Sequence, residues 1–231
     1  MESIVNNIQN AKRICIITGP QIGSVDLQDL MFTNSLSKLI SSYFATPLGW
    51  KMTPGTTWNI YYENLYLTLV DKKPEKGHEL IHKLSQFCQS YAKVELITEN
   101  IDLLQEKLGD ETLHIYGSIL DNKCQNGHVI DKDPILNMKC GQCQSYVRPD
   151  IILFSEVIPE PRMKEVKEAL KNADVILVIG SHGRVAPLPT LLMIYENKVF
   201  HISKEKKLHG GTWLEGDCVS VLEKLVSELE K

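Results

Sequence analysis

Four residues in one polar stretch are of the types that hold a metal ion. Cys124 is followed by His128, and Cys140 by Cys143, each pair close in sequence. Thiolate and imidazole donors in two such pairs on two loops suit a tetrahedral structural zinc ion. Cys124, His128, Cys140 and Cys143 therefore form a candidate Cys3His site; the competing reading is a hydrogen-bonded loop with free thiols. Cys15, Cys88 and Cys218 fall in apolar patterns and read as buried hydrophobes. A different chemistry is offered where apolar runs end in small residues. Gly19-Pro20-Gln21-Ile22-Gly23 is a Gly-x-x-x-Gly turn after an apolar run, a place where backbone N–H groups can meet a phosphate, although Pro20 donates none. The plain alternative is a tight turn that needs glycine only for its shape. Asn100-Ile101-Asp102 and the stretch from Gly180 to Pro187 end two further runs in the same way.

Three loops can converge on one ligand only if strands carry them to a common edge. Arg13–Thr18, Val94–Thr98, Leu113–Tyr116, Ile151–Phe154, Val175–Ile179 and Val199–Ser203 are short, unbroken apolar runs, the pattern of strands buried on both faces of a parallel sheet. Helical patterns alternate with them: residues 4–11, Trp58–Leu69, Glu75–Ser90, Leu103–Leu108, Arg162–Lys171 and an amphipathic stretch over 217–229. Alternation of this kind predicts an α/β fold, a Rossmann-like parallel sheet with helices on both faces, whose ligands sit at the carboxyl ends of the strands. The aromatic and leucine positions Trp58, Tyr61, Tyr62 and Leu65, at helical spacing, read as core.

Bulk properties bound the rest. The chain has 231 residues, 43% hydrophobic and 23% charged, which suits one domain of ordinary size with a small inserted module. A net charge of -4 gives no basic footprint for nucleic acid. No apolar run approaches the ~20 residues that span a bilayer. The N-terminal segment lacks the layout of a signal peptide, so reduced thiols and a location in the cytosol or nucleus are expected, with the cytoplasm as default.

Several motifs, in one order, resemble the sirtuins, the NAD-dependent protein deacylases. Thr98-Glu99-Asn100-Ile101-Asp102 is similar to their Thr-Gln-Asn-Ile-Asp. Val147-Arg148-Pro149-Asp150-Ile151-Ile152-Leu153-Phe154-Ser155-Glu156 resembles Leu-Arg-Pro-x-Val-Val-x-Phe-Gly-Glu. Cys140-x-x-Cys143 lies just before it, where the family has its second zinc pair. Pro74 to His78 resembles Pro-Asn-x-x-His, and Gly180-Ser181 with Val185 and Pro187 resembles the Gly-Thr-Ser-x-x-Val-x-Pro turn. These motifs span residues 13 to about 225.

The resemblance implies a sirtuin fold: a Rossmann-like part in 1–30, 93–120 and 148–231, a helical insertion at 31–92, and a zinc-ribbon-like module at 121–147. It implies NAD as cofactor, structural zinc, and an acylated protein or peptide as partner. It assigns cofactor contacts to Gly19, Ile22, Asn100, Asp102, Gly180, Ser181, His182 and Ser203, and substrate contacts to Phe154, Ser155 and Glu156. Asn100 and Asp102 shape the nicotinamide end. The family's general-base histidine, however, falls at Tyr116, and a phenol with a pKa of about 10 is a poor base near neutral pH. His114 lies two residues earlier on the same face, ~6.6 Å away, which favours a structural role. Gln21 stands in place of a glycine, Asp26 brings negative charge towards a pyrophosphate, Met31-Phe32 stands for Phe-Arg, His182 for a serine and Ser155 for a glycine. The expectation is a protein related to the deacylases in which NAD binding is weakened and ordinary deacylation impaired or lost, a pseudoenzyme candidate. The alternatives are an NAD-consuming ADP-ribosyltransferase or NAD hydrolase, and a non-catalytic binding protein.

Overall fold

The computed structural model describes residues 1–23, 43–130, 139–183, 185–204 and 210–231. The stretch from Ser24 to Phe32, with Asp26 and Met31-Phe32, lies outside the described residues, as do the first part of the 31–92 insertion and part of the 121–147 module.

Six parallel strands form the main sheet: β1 (Arg13–Thr18), β2 (Lys93–Thr98), β3 (Thr112–His114), β7 (Val175–Ile179), β8 (Val199–Ser203) and β9 (Thr212–Glu215). Their order is β3-β2-β1-β7-β8-β9, with β1 paired in parallel to β2 on one side and β7 on the other. The chain thus builds outward from β1 to one edge and returns to build the other half. β7 is buried along its whole length and β1 is buried after Arg13, which explains why both read as uninterrupted apolar runs.

Helices cover each face. On one side α1 (Glu2–Asn10), α5 (Lys76–Gln89) and α8 (Cys218–Leu229) bury Ile4, Ile8, Ile81, Leu84, Leu222 and Leu225 against the sheet. On the other, α6 (Glu160–Asn172) and α7 (Leu188–Met193) contribute Val166, Leu170, Leu188 and Leu192. Each such side chain adds about 1.5–3 kcal/mol of hydrophobic stabilisation. The α5 start is closed by a reciprocal cap: the Glu75 side chain accepts from the backbone of His78, and the His78 ring accepts from the Glu75 N–H at 3.1 Å.

A separate helical layer consists of α2 (Pro47–Met52), α3 (Pro54–Tyr61) and α4 (Leu67–Val70). Proline begins α2 and α3, where its missing N–H costs nothing. Sequence periodicity predicts one helix over Trp58–Leu69; the structure interrupts it with a π turn at Tyr62–Tyr66, across which the two tyrosine rings stack at 5.1 Å. Trp58, Tyr61 and Leu65 are core, as their spacing implied; Tyr62 packs against them partly buried, and Trp50 joins the same cluster.

The small sheet has the order β5-β4-β6, with β4 (Gly117–Cys124), β5 (Val129–Ile130) and β6 (Val147–Ile151) antiparallel. It draws on residues 117–120 and 148–151, which sequence reading gave to the Rossmann-like part, so its strands extend beyond 121–147 on both sides. Gly117 is the reason its start is hidden. A Cβ there would stand 1.8 Å from the Asp150 carbonyl oxygen, and φ is +79°. The glycine that ends the apolar run Leu113–Tyr116 is what lets two strands approach. β6 begins at Val147 rather than Ile151 and carries Pro149 opposite Asn122, beside the irregularity between Ser118 and Asn122, a place where a strand tolerates proline. The run Leu103–Leu108 narrows to a 3-10 turn at Glu106–Leu108, and the short edge strand β9 had no apolar run to announce it.

Candidate functional site

The carboxyl ends of β1 and β2 are tied together by hydroxyls. Thr18 Oγ1 donates to Thr98 Oγ1 at 2.9 Å, and Thr98 Oγ1 accepts the Asn100 N–H at 3.0 Å. Asn100 is buried and points Nδ2 at the Gly19 carbonyl, 3.5 Å away. Behind it, His114 Nδ1 lies 2.9 Å from the Asn100 carbonyl and Nε2 lies 2.8 Å from Glu106 Oε1. Burial would lower the His114 pKa, but Glu106, the Asn100 carbonyl and Asp102 together raise it. His114 is thus a brace behind the Asn100 turn. Asp102 is also buried, its Oδ1 accepting the Leu104 N–H at 3.1 Å.

In front of that turn lies a cavity of about 600 Å³, a size suited to a small-molecule ligand or a long side chain. It runs between the main sheet, the helical layer and the small sheet. Glu99, Asn100 and Ile101 line it from the β2 end, Tyr61 and Ala45 from the helical layer, and residues 151–158 from the segment after β6. His182, Gly183 and Val185 to Pro187 close the β7 side, with Met163 and Lys167 from α6. Most of this wall is apolar.

Tyr116 stands in the wall, packed against both the main core and the helical layer. Its hydroxyl donates to the carbonyl oxygens of Val185 at 3.1 Å and Ala186 at 3.4 Å. Burial, with the charge of Glu99, pushes its pKa up. A phenol that is engaged as a donor and harder to ionise is a poor general base near neutral pH.

The segment after β6 is fixed from beneath. Arg148, buried, sends Nη1 to the Ile151 carbonyl at 3.1 Å and Nη2 to Glu156 Oε1, while Glu156 Oε2 accepts the Leu153 N–H at 2.9 Å. Glu156 therefore shapes this turn with its carboxylate paired to Arg148. Phe154 stays 48% exposed at the mouth, and its N–H donates to the Ala45 carbonyl at 2.9 Å. Ser155 holds a φ of 68°, the left-handed conformation that favours glycine, which accounts for the glycine of the related motif. Lower on β6, Asp150 takes Lys123 at 2.6 Å and Arg162 of α6 at 3.3 Å; burial works against its ionisation, but these cations hold its pKa below the usual carboxylate range.

The cavity gathers Asn100, Tyr116, Phe154, Ser155, Glu156 and His182 from the expected set. It does not gather Asp102, Gly19, Ile22, Gly180, Ser181 or Ser203. Gly19, Ile22, Gly180 and Ser181 pack together where the strand order reverses between β1 and β7, while Ser203 ends β8. A Cβ on Gly19 would meet Ser181 Cα at 2.5 Å, and one on Gly180 would meet the Ile22 nitrogen at 3.1 Å. Ser181 Oγ accepts the Gly183 N–H at 3.0 Å, and Ser203 Oγ lies 3.3 Å from the Trp213 indole nitrogen, which donates to it. Sequence reasoning missed Lys167, Met163 and the Arg148 clamp; only the Val147-Arg148-Pro149 motif held a signal for the last.

At the far end of the small sheet, the ligand atoms of Cys124, His128, Cys140 and Cys143 all lie within 4.8 Å of one another. Cys124 Sγ is 3.4 Å from His128 Nδ1 and 3.7 Å from Cys143 Sγ, and Cys140 Sγ is 3.5 Å from His128 Nδ1. With Zn–S near 2.3 Å and Zn–N near 2.1 Å, a tetrahedral ion needs edges of about 3.8 Å and 3.6 Å. The four residues fit. The hydroxyl and backbone of Ser145, directed at Cys143, bring that thiol down to about 6. Cys15, Cys88 and Cys218 are buried and free, and among the described residues no helix is long and apolar enough to cross a membrane.

The Sir2 family profile matches residues 36–187. An NAD-dependent protein deacylase 1 of Pseudomonas aeruginosa is 27% identical over 225 residues, covering 89% of this chain and 88% of that protein. An NAD-dependent protein deacetylase of Listeria monocytogenes is 28% identical over 236 residues, covering 97% and 100%. Among solved structures, a Sir2 homologue in complex with NAD superposes with a TM-score of 0.80 at 21% identity, covering 100% of this chain and 94% of that one. A histidine-to-tyrosine Sir2 mutant with a p53 peptide and NAD gives 0.76 at 19% identity, covering 99% and 98%.

Proposed function

The chain belongs to the Sir2 family, and from that premise we propose that it binds an acylated lysine side chain of a protein in the cavity above Asn100 while removing the acyl group poorly or not at all. The observation that carries this reading is Tyr116, whose hydroxyl is spent on the Val185 and Ala186 carbonyls at the place where the resemblance puts the general base. General bases contribute about 10²–10⁴ in rate, so a deacylase without one is slowed by that order. The acyl-lysine side is better kept: an apolar cavity, Phe154 at the rim, and a turn held by Arg148 and Glu156. The mutant solved with a p53 peptide and NAD carries tyrosine for histidine, so in that protein such a change is compatible with holding a peptide. An NAD-consuming activity independent of deacylation is the weaker reading, because Asp102 spends Oδ1 on the Leu104 N–H and does not line the cavity. Structural zinc in the Cys3His cluster belongs to the same proposal, as does a reducing compartment in which those thiols stay metal ligands.

The test pairs direct binding of acyl-lysine peptides, by fluorescence anisotropy, with nicotinamide release on the same preparation. The expected result is micromolar peptide binding that depends on the acyl group, with turnover at least about 10²-fold below a Sir2 deacylase assayed alongside. Turnover equal to that enzyme would refute the impairment, and acyl-independent binding would refute the acyl-lysine assignment.

A further inference from the structure

We propose that Gln21 is the specificity-determining residue of the β1–β7 crevice, its carboxamide lying across the position that the pyrophosphate of a dinucleotide needs. The proposal extends the reading above to the nucleotide side of the same site.

In an open α/β sheet the crevice at the point where strand order reverses is where such a ligand binds, and here that point lies between β1 and β7. The phosphate is received there by unpaired backbone N–H groups and by a glycine that lets the backbone come close. Neither provision survives in the turn from Gly19 to Gly23. Gly19 N–H donates to the Ile179 carbonyl at 2.9 Å and Gln21 N–H to the Gly180 carbonyl at 3.1 Å. Ile22 and Gly23 donate to Gly19 and Pro20 at 3.4 and 3.2 Å, and Pro20 has no N–H. All the donors of the turn are spent within the protein.

The side chain then fills the space. Gln21 Cβ lies 3.2 Å from where a Cβ on Gly180 would stand, so the chain starts directly over the β7 end. From there Nε2 donates to His182 Nδ1 at 3.1 Å, and Oε1 accepts at 3.5 Å from Cys218 Sγ, whose one S–H is shared with the Ile202 carbonyl at 3.4 Å. The carboxamide thus joins the loop after β7 to the first residue of α8. Both of its ends are occupied, and the bridge must break before a phosphate can enter. The acyl-lysine cavity lies on the other side of Pro20 and His182, which line its wall while Gln21 does not. One cleft is thereby divided into an open half and a filled half.

The experiment is calorimetric titration of the full chain with ADP-ribose, comparing wild type with Gln21→Ala and Gln21→Glu. Gln21→Ser serves in place of the alanine variant should that variant lack a native unfolding transition. Gln21→Ala is expected to bind ADP-ribose at least tenfold more tightly than wild type. Gln21→Glu keeps the bulk and adds repulsion, and is expected to show no gain. Equal affinities for wild type and Gln21→Ala, including no binding by either, would overturn the proposal. An acyl-lysine peptide titrated into all three should bind alike. Its failure to bind wild type would sink the functional reading while leaving the ADP-ribose comparison to decide the role of Gln21.

Discussion

Replacing Glu106 by Gln isolates the brace behind Asn100. His114 faces two acceptors, the Asn100 carbonyl at 2.9 Å and the Glu106 carboxylate at 2.8 Å. Two acceptors require both ring nitrogens to carry protons, so the arrangement is that of an imidazolium. The partners are 13% and 27% exposed at their side chains, shielded enough for the pair to count. A hydrogen bond to a charged group contributes about 1.5–3 kcal/mol and a neutral one about 0.5–1.5. Glu106→Gln should therefore cost about 1–2 kcal/mol, which for a chain of this size is a fall of roughly 2–8 °C in Tm. The pH dependence follows from the direction of the shift. The folded-state pKa of His114 is raised, so its contribution is complete below the unfolded value of about 6.5 and fades as pH rises through the folded value. The difference in Tm between wild type and Glu106→Gln should be largest near pH 6 and shrink towards alkaline pH. Contributions of other histidines, such as the His82–Asp110 pair, are common to both proteins and cancel. Thermal unfolding across that range, with an NMR titration of the His114 ring, measures both quantities. A ring that titrates below 6.5, or a Tm difference flat with pH, would show that no imidazolium braces the turn.

Three further outcomes follow from the geometry. Removing one metal ligand by Cys140→Ser should abolish stoichiometric zinc, measured by mass spectrometry of the purified protein, and lower Tm by several degrees; unchanged zinc content would remove Cys140 from the site. Ser155→Gly relieves a left-handed conformation worth about 1–2 kcal/mol but loosens the unfolded chain by about 0.4–1, so denaturant unfolding should show a change between zero and about 1.5 kcal/mol of stabilisation. A loss would mean that the Ser155 side chain is itself needed there. Gly117→Ala must displace the Asp150 carbonyl, 1.8 Å from the new methyl; a cost above about 3 kcal/mol is expected in the same assay, and a neutral result would mean that β4 and β6 separate easily.

The main sheet, its edge strand β9 excepted, could be read directly because strands such as Val175–Ile179, buried on both faces, leave no polar interruption in the sequence. The small sheet could not. Its start was hidden by Gly117, which punctuates a sequence but here permits a close approach, and its return strand by Pro149, sheltered beside a register shift. The Cys3His cluster was legible because metal chemistry demands particular residue types at close spacing. The loss of a glycine at Gln21 was visible, but not the His182 and Cys218 partners of its carboxamide, which come from the ends of elements 161 and 197 residues away. Asp102 was assigned by motif to the cofactor pocket, and a motif does not announce that its Oδ1 also accepts the Leu104 N–H. Ser155 and Glu156 show the converse, since the conformation of one and the Arg148 partner of the other explain why the motif has the form it does.

The two longer strands of the small sheet each span the distance from the cysteine cluster to the cavity. β4 leaves Tyr116 at one end and reaches Cys124 at the other, and β6 begins four residues after Cys143 and ends at Ile151 in the cavity wall. At about 3.4 Å per residue, the lever arms are some 15–25 Å long. If the cluster holds zinc as proposed above, a chelator, an oxidant or a competing metal acts at the far ends of the two strands that carry this wall. On the reading proposed above, peptide affinity should then report the state of the cysteines.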